Sequence, residues 1–273
     1  MKRWQRRLLS ILLGMIALAG IGLMLRQLAG YRSAREQQER ARELAQIATS
    51  VPKTDPAEPA ETPEPDDSGS AEQTAPLEEN VMFLFETDLA QLQQTNADVL
   101  GWIHIPDTDI SFPLMRSYDN EDYLYRAWDG SYSAAGSIFL ECRNNRNLLD
   151  FNTIIYGHHM GNGTVFGSLM KYKEQEYRDE HEFVYILTEN DLRRYRVFSA
   201  YEAPVDGDTY RLYYPDNAAK EAAIACFTES SVLEYELTPE TDDYILTLST
   251  CTGTGVYTTR WVVQCVLDGI WLK

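Results

Sequence analysis

Three residue types able to carry acyl-transfer chemistry recur at suggestive places in this chain: a cysteine, a histidine pair and an arginine. Cys251 closes the run Tyr244-Ile-Leu-Thr-Leu-Ser-Thr-Cys251. Strand alternation puts Ile245, Thr247, Ser249 and Cys251 on one face and Leu246, Leu248 and Thr250 on the other. The Leu face suits a core, and the Thr-Ser-Cys face suits a cleft. A thiol becomes nucleophilic as its thiolate, and histidine is the usual helper. Of the four histidines, His158 and His159 end the apolar run Asn152-Thr-Ile-Ile-Tyr-Gly157 and open a glycine-rich loop. Arg260 stands nine residues beyond Cys251, across the turn-rich loop Thr252 to Thr259, at the start of a further strand. A strand-end Cys, a strand-end His and a strand-start Arg supply nucleophile, acid or base, and oxyanion donor.

The elements that must position these groups follow from periodicity and punctuation. Eight strands are expected: Val99–Ile105, Ile110–Met115, Gly136–Glu141, Asn152–His158, Phe183–Thr188, Leu192–Ala203, Tyr244–Cys251 and Arg260–Leu272. Helices are expected at Val81–Asp98, Asn120–Arg126, Thr164–Tyr172 and Asp216–Leu233, the last capped by Asp216 or Asn217. Eight short strands with few long helices fit a closed β-barrel.

Ahead of the barrel the chain changes character. Lys2, Arg3, Arg6 and Arg7 precede eighteen uncharged residues, Leu8 to Leu25, enough for a helix ~27 Å long against a hydrocarbon core of ~30 Å. Ala17-Leu18-Ala19 has the look of a signal-peptidase site, but the apolar run continues six residues past it, which favours an uncleaved anchor. Both flanks are basic, so charge alone leaves the orientation open. Residues 26–49 are rich in Ala, Glu, Gln and Arg and read as a polar, solvated helical stalk. Residues 50–80, rich in Pro, Glu, Asp, Thr and Ser, read as a disordered acidic linker. Residues 81–273 then form the catalytic domain, expected to fold without what precedes it.

Charge and cysteine usage narrow the function classes. The net charge of −18 divides as +6 over residues 1–49, −8 over 50–80 and −16 over the remainder. An acidic domain lacks the basic footprint that nucleic acid requires. The four cysteines, Cys142, Cys226, Cys251 and Cys265, show no CxxC pair, so neither a structural zinc site nor a disulfide framework is expected. Cys265 alternates with Trp261, Val263 and Leu267, opposite Arg260, and reads as a buried hydrophobe. His104 and His181 lack a catalytic context and read as surface or satisfied histidines. No metal, cofactor or phosphate-loop motif is present in the sequence.

Thr247-Leu-Ser-Thr-Cys251 with Arg260 and Tyr156-Gly-His158 resembles the sortase family, most closely its class B. Gly136-Ser-Ile-Phe-Leu-Glu-Cys-Arg-Asn144, the stretch Asn152 to Leu169, and Val99-Leu-Gly-Trp-Ile-His-Ile-Pro106 are similar to class B segments as well. The resemblance spans residues 81 to 273. It implies a sortase-type eight-stranded barrel with an N-terminal helix and a helix before the cysteine strand, and a cysteine transpeptidase of the Gram-positive envelope. It selects His158 over His159 as the acid/base beside the Cys251 nucleophile and the Arg260 donor, and it orients residues 1–7 inside, 8–25 across the membrane and the domain outside. Ser249 and Thr250 are candidate substrate contacts. The implied partners are surface proteins bearing a sorting peptide of the Asn-Pro-x-Thr-x kind and an amine of a lipid-linked peptidoglycan precursor or wall peptide. A membrane-tethered thiol hydrolase and a pilin-joining enzyme stay open as alternatives. Val51-Pro-Lys-Thr-Asp55 has the form of such a peptide but lacks the apolar segment and basic tail of a substrate, and is read as coincidence.

Overall fold

A computed structural model describes residues 3–46, 77–235, 237–251 and 258–273, with the side chains of residues 3, 5–11, 26 and 27 left out. Val51–Asp55, most of the linker, and residues 252–257 of the loop after Cys251 lie outside the described residues.

The eight strands are β1 (Val99–His104), β2 (Ser111–Met115), β3 (Ile138–Leu140), β4 (Asn152–Tyr156), β5 (Phe183–Leu187), β6 (Asp191–Pro204), β7 (Ile245–Cys251) and β8 (Thr259–Leu272). They close a barrel in the order β1-β2-β3-β4-β7-β8-β6-β5, with β5 returning to β1. The pairs β2/β3 and β4/β7 are parallel, and the others are antiparallel. Closure leaves no free sheet edge. The interior is filled by side chains such as Ile103, Leu114, Ile138, Ile155, Leu246, Leu248, Val263 and Cys265.

Helix α4 (Asn217–Glu229) covers the outer face of β6, β7 and β8. Phe227 and Ile224 pack there on Phe198, Ile245 and Val262. Asp216 caps α4 by accepting from the Ala219 amide at 2.9 Å. The Thr-Ser-Cys face of β7 is therefore no open cleft along its length. Thr247 is fully buried: its hydroxyl donates to Asn152 Oδ1 at 2.8 Å and accepts from Gln264 Nε2 at 3.1 Å. Only the Cys251 end reaches a cavity.

The single helix expected over Val81–Asp98 is two pieces, a 3-10 helix at Glu79–Glu86 and α2 (Leu89–Thr95). Asp88 breaks it by turning to cap α2, its carboxylate accepting from Gln91 N at 3.0 Å. The helix expected over Asn120–Arg126 is a single 3-10 turn, Asp122–Leu124. The one expected over Thr164–Tyr172 is a 3-10 helix, Gly167–Lys173, followed by α3 (Gln175–Glu180).

The larger correction concerns the stalk. Helix α1 runs unbroken from Arg3 to Leu44, is long and apolar enough to cross a membrane, and exposes Leu18, Ile21, Leu23 and Leu25. One face of its later turns is not solvated. Ala34, Gln38, Ala41 and Ala45 are buried against the barrel. Gln38 Nε2 donates to the carbonyls of Asp109 (2.9 Å) and Ser111 (3.2 Å), and Trp128 Nε1 donates to the Gln37 carbonyl at 3.0 Å. Beyond the undescribed stretch Leu77 packs, like Leu44, against the cluster that holds Ala41 and Ala45, and the Asp88 amide donates to the Ala45 carbonyl at 3.1 Å.

Candidate active site

Strand pairing brings the chemical groups together. Strands β4 and β7 run parallel, with Tyr156 opposite Ser249, so their C-terminal ends share one rim of the barrel. The ladder extends one bond further, Gly157 N to Ser249 O at 3.2 Å, and then the chain turns out, so the strand stops before His158 rather than at it. Phe166 enforces that turn: a Cβ on Gly157 would lie 2.7 Å from its ring, so the Gly of Tyr-Gly-His is sterically required. Strand β8 returns antiparallel from the same rim with Arg260 directly opposite Cys251. His158, Cys251 and Arg260 line one cleft of about 250 Å³.

The half-buried His158 is oriented by the backbone, its Nε2 lying 2.7 Å from the Leu124 carbonyl, which accepts. The Tyr125 ring sits 5.9 Å away, centroid to centroid. Arg260 Nη1 donates to the Thr259 carbonyl at 2.9 Å. His159 lies elsewhere. It pairs with Val165 in an isolated bridge and lines a separate hollow of about 570 Å³ with Asp109, Met160 and Lys171. Burial, aided by the Lys173 charge, lowers its pKa. His181 is a satisfied histidine, stacked on Tyr177 with Nδ1 2.8 Å from that residue's carbonyl. His104 packs edge-on against Phe83.

Ser249 and Thr250 both line the cleft from opposite faces of β7. Ser249 shares a 2.9 Å hydrogen bond with Tyr210, whose hydroxyl burial pushes up to about 12. Tyr210 comes from the 3-10 turn Asp208–Tyr210. Thr250 is buried, and its hydroxyl has no protein partner. All four cysteines are unpaired, and Cys265 is fully buried in the core. Among the described residues no group of His, Cys, Asp and Glu could hold a metal ion.

Periodicity missed four residues at or behind this cleft. Asn120 and Tyr156 form part of its wall. Behind them Glu141, 1% exposed, accepts from Asn120 Nδ2 (2.8 Å), Tyr156 Oη (3.0 Å) and Arg143 Nε (2.7 Å). Burial alone would raise this carboxyl, but these hydrogen bonds outweigh it and hold the pKa below the ordinary carboxylate value. Glu141 and Tyr156 were within the motif segments, and only an acid between an apolar run and Cys-Arg hinted at a role. Asn120 and Tyr210 come from irregular segments, where no period marks a position.

Comparisons with known proteins bear on the family and the fold. The family model described as the Sortase domain matches residues 103–268. The curated Sortase B of Listeria monocytogenes is 36% identical over 175 residues, covering 63% of this chain and 70% of the relative. That of Staphylococcus aureus is 30% identical over 186 residues, covering 68% and 75%. Among solved structures, sortase B from Bacillus anthracis in complex with AAEK1 aligns with a TM-score of 0.66 at 26% identity, over 88% of this chain and 99% of that one. The Staphylococcus aureus sortase B–substrate complex aligns with a TM-score of 0.62 at 29% identity, over 66% and 83%. With a family match across most of the barrel and relatives that are sortase B by sequence and by structure, this chain belongs to the sortase family, in class B.

Proposed function

We propose that this protein is a class B transpeptidase that cleaves a sorting peptide after its Thr and joins the new carboxyl end to a wall-precursor amine. The observation that carries it is the register of the rim: Cys251 faces Arg260 across β7 and β8, and His158 leaves the parallel neighbour β4 into the same cleft. The Cys251 thiolate adds to the Thr carbonyl carbon, and the carbonyl electrons move onto oxygen. Arg260 donates to that oxyanion. As the tetrahedral intermediate collapses, the scissile C–N bond breaks and His158 gives its proton to the departing amine. The thioester that remains is attacked by a second amine, which loses its proton to His158 as Cys251 leaves. Ser249 and Thr250 contact the peptide. A similar structure, the Staphylococcus aureus sortase B–substrate complex, supports substrate binding by this fold. Helix α1 anchors the enzyme in the membrane, with the barrel on the outer side beside sorting-signal proteins and lipid-linked precursor.

The test is a screen of Asn-Pro-x-Thr-x, Ser-Pro-x-Thr-x and Leu-Pro-x-Thr-x peptides against the full chain, with and without a peptide amine, read by mass spectrometry. Expected are cleavage after Thr, a thioester on Cys251, and diversion of product to the amide when amine is added. Cys251→Ala and His158→Ala should be inactive, and His159→Ala active. Hydrolysis that added amine never diverts would make the protein a thiol hydrolase. Turnover that survives Cys251→Ala would overturn the reading altogether.

A further inference from the structure

Helix α1 passes without a break from its exposed apolar stretch into its dock on the barrel, and that continuity fixes the height of the barrel above a membrane. The apolar stretch ends at Leu25. The nearest contacts in sequence come five and six residues later. A Cβ on Gly30 would lie 3.8 Å from Ala134 Cβ, and the Tyr31 hydroxyl lies 2.9 Å from where a Cβ on Gly161 would stand. At 1.5 Å per residue these contacts are ~8–9 Å along the axis from Leu25. The headgroup layer on each side of a bilayer is ~5–8 Å thick. The rest of the dock leads away from the membrane: Gln37 to Trp128, Arg40 to Asp129 (3.4 Å), and Ala45 to Asp88, ~22 Å beyond Gly30.

We propose that the barrel rests on the lipid headgroup layer through the hairpin 126–134 and the loop 159–163. The inference depends on α1 being the membrane span. Two further observations favour a lipid surface. Tyr125 and Tyr132, 58% and 72% exposed, stand on the two arms of this hairpin, tied by the Arg126–Tyr132 bridge and by Ser133 N donating to Tyr125 O at 3.0 Å. Tyrosine is a residue type that concentrates at membrane interfaces. Arg32 and Arg35 are exposed on α1 at this level beside one exposed carboxylate, Glu36; the hairpin's one carboxylate, Asp129, is paired with Arg40, and Asp107 and Asp109 border the loop 159–163. Exposed arginines attract anionic headgroups, from which a barrel of net charge −16 would otherwise be repelled. The consequence for chemistry is directional. His158 is bonded to Leu124, just before the hairpin, and precedes Gly161 by three residues. The histidine side of the cleft therefore opens near the headgroups, where a lipid-linked amine is held.

The test uses the full chain in vesicles of phosphatidylcholine and phosphatidylglycerol carrying headgroup nitroxides. Cys142→Ser, Cys226→Ser and Cys251→Ala leave only the buried Cys265, and a fluorophore is attached through Tyr132→Cys or Asn190→Cys. Residue 190 is exposed and hydrogen-bonded through its carbonyl to Lys273, whose ammonium meets Thr87 beside the far end of the dock. Expected are co-sedimentation with vesicles, quenching at 132, and none at 190. In the unsubstituted chain, amides of 126–134 should exchange more slowly than in a form with a flexible Gly-Ser insertion after Arg26. This second readout needs no cysteine variant to fold. A chain that stays in the supernatant overturns the span and the surface contact together. A chain that pellets but shows equal signals at 132 and 190, with exchange unchanged by the insertion, overturns the surface contact alone.

Discussion

Cys251 and Arg260 are cross-strand neighbours, so ladder spacing puts their Cβ atoms ~4.5–5.5 Å apart and their side chains on the same face. That placement makes the guanidinium's shape matter as much as its charge. Arg260→Lys keeps the charge but replaces a rigid fork of donors by a mobile point charge. We expect kcat/KM to fall ~10²–10³-fold, the usual loss for one oxyanion donor. Near-normal peptide cleavage by the lysine form would show that Arg260 acts only through distant charge. The pairing itself was legible in outline, since a turn-rich loop between two strands returns the arginine toward the cysteine. The partner of Ser249 was not. Its hydrogen bond goes to Tyr210, from a turn that no period in the sequence singles out.

At the scale of elements, the cleft wall is braced by Glu141, at the edge of β3, which joins Asn120 to Tyr156 on β4. Glu141→Ala leaves two buried or half-buried donors without their acceptor, at ~1–3 kcal/mol. The urea midpoint should fall accordingly, with the slope unchanged. A midpoint matching wild type would mean that water replaces the carboxylate. The strands were readable because alternation and turn residues mark a half-buried sheet at both its faces and its ends. The helices were less so. Thr87-Asp88 splits one helix because a capping carboxylate competes locally with helix continuation, and periodicity on both sides hides the break. The dock of α1 was hidden for a different reason. Ala34, Gln38, Ala41 and Ala45 recur at helical spacing, but their types are those of a solvated helix. Gln38 is buried only because two barrel carbonyls await its amide.

For the whole molecule, that dock moves the boundary of what folds. A chain of residues 81–273 loses Gln38's hydrogen bonds and Glu78, which meets Arg194 at 2.9 Å and also accepts from Tyr185. Gln38's two hydrogen bonds alone are worth about 2 kcal/mol, so we expect Tm of residues 81–273 to lie at least ~4–8 °C below that of residues 28–273. Equal melting would mean the helix only covers the barrel. Acid should loosen the same seam. Burial first, then the Arg42 charge of α1, lowers the His104 pKa to about 4, against an opposing hydrogen bond at Ile110. The unfolded chain, with His near 6.5, binds more protons between these values, so stability is complete above pH 6.5 and falls as pH drops toward 4. The loss is on the order of 3 kcal/mol, and His104→Gln should flatten this part of the pH–stability curve. An unchanged curve in that variant would assign the acid sensitivity to the carboxylates.

Leu44 and Leu77 pack against one cluster with Ala41 and Ala45, and Asp88 bonds to Ala45, so the chain on both sides of residues 47–76 lies on the folded body. A segment whose two ends meet on the folded body adds nothing to the distance between that body and the apolar stretch of α1, however long it is. Its length enters the free energy only through loop closure, at ~0.6 kcal/mol for each doubling. Residues inserted or lost between 46 and 77 should therefore change stability little, whereas Glu78, Val81 and Leu84 beyond them are held by the barrel. The spacing from Leu25 to the buried Ala34, by contrast, is set by the unbroken helix α1.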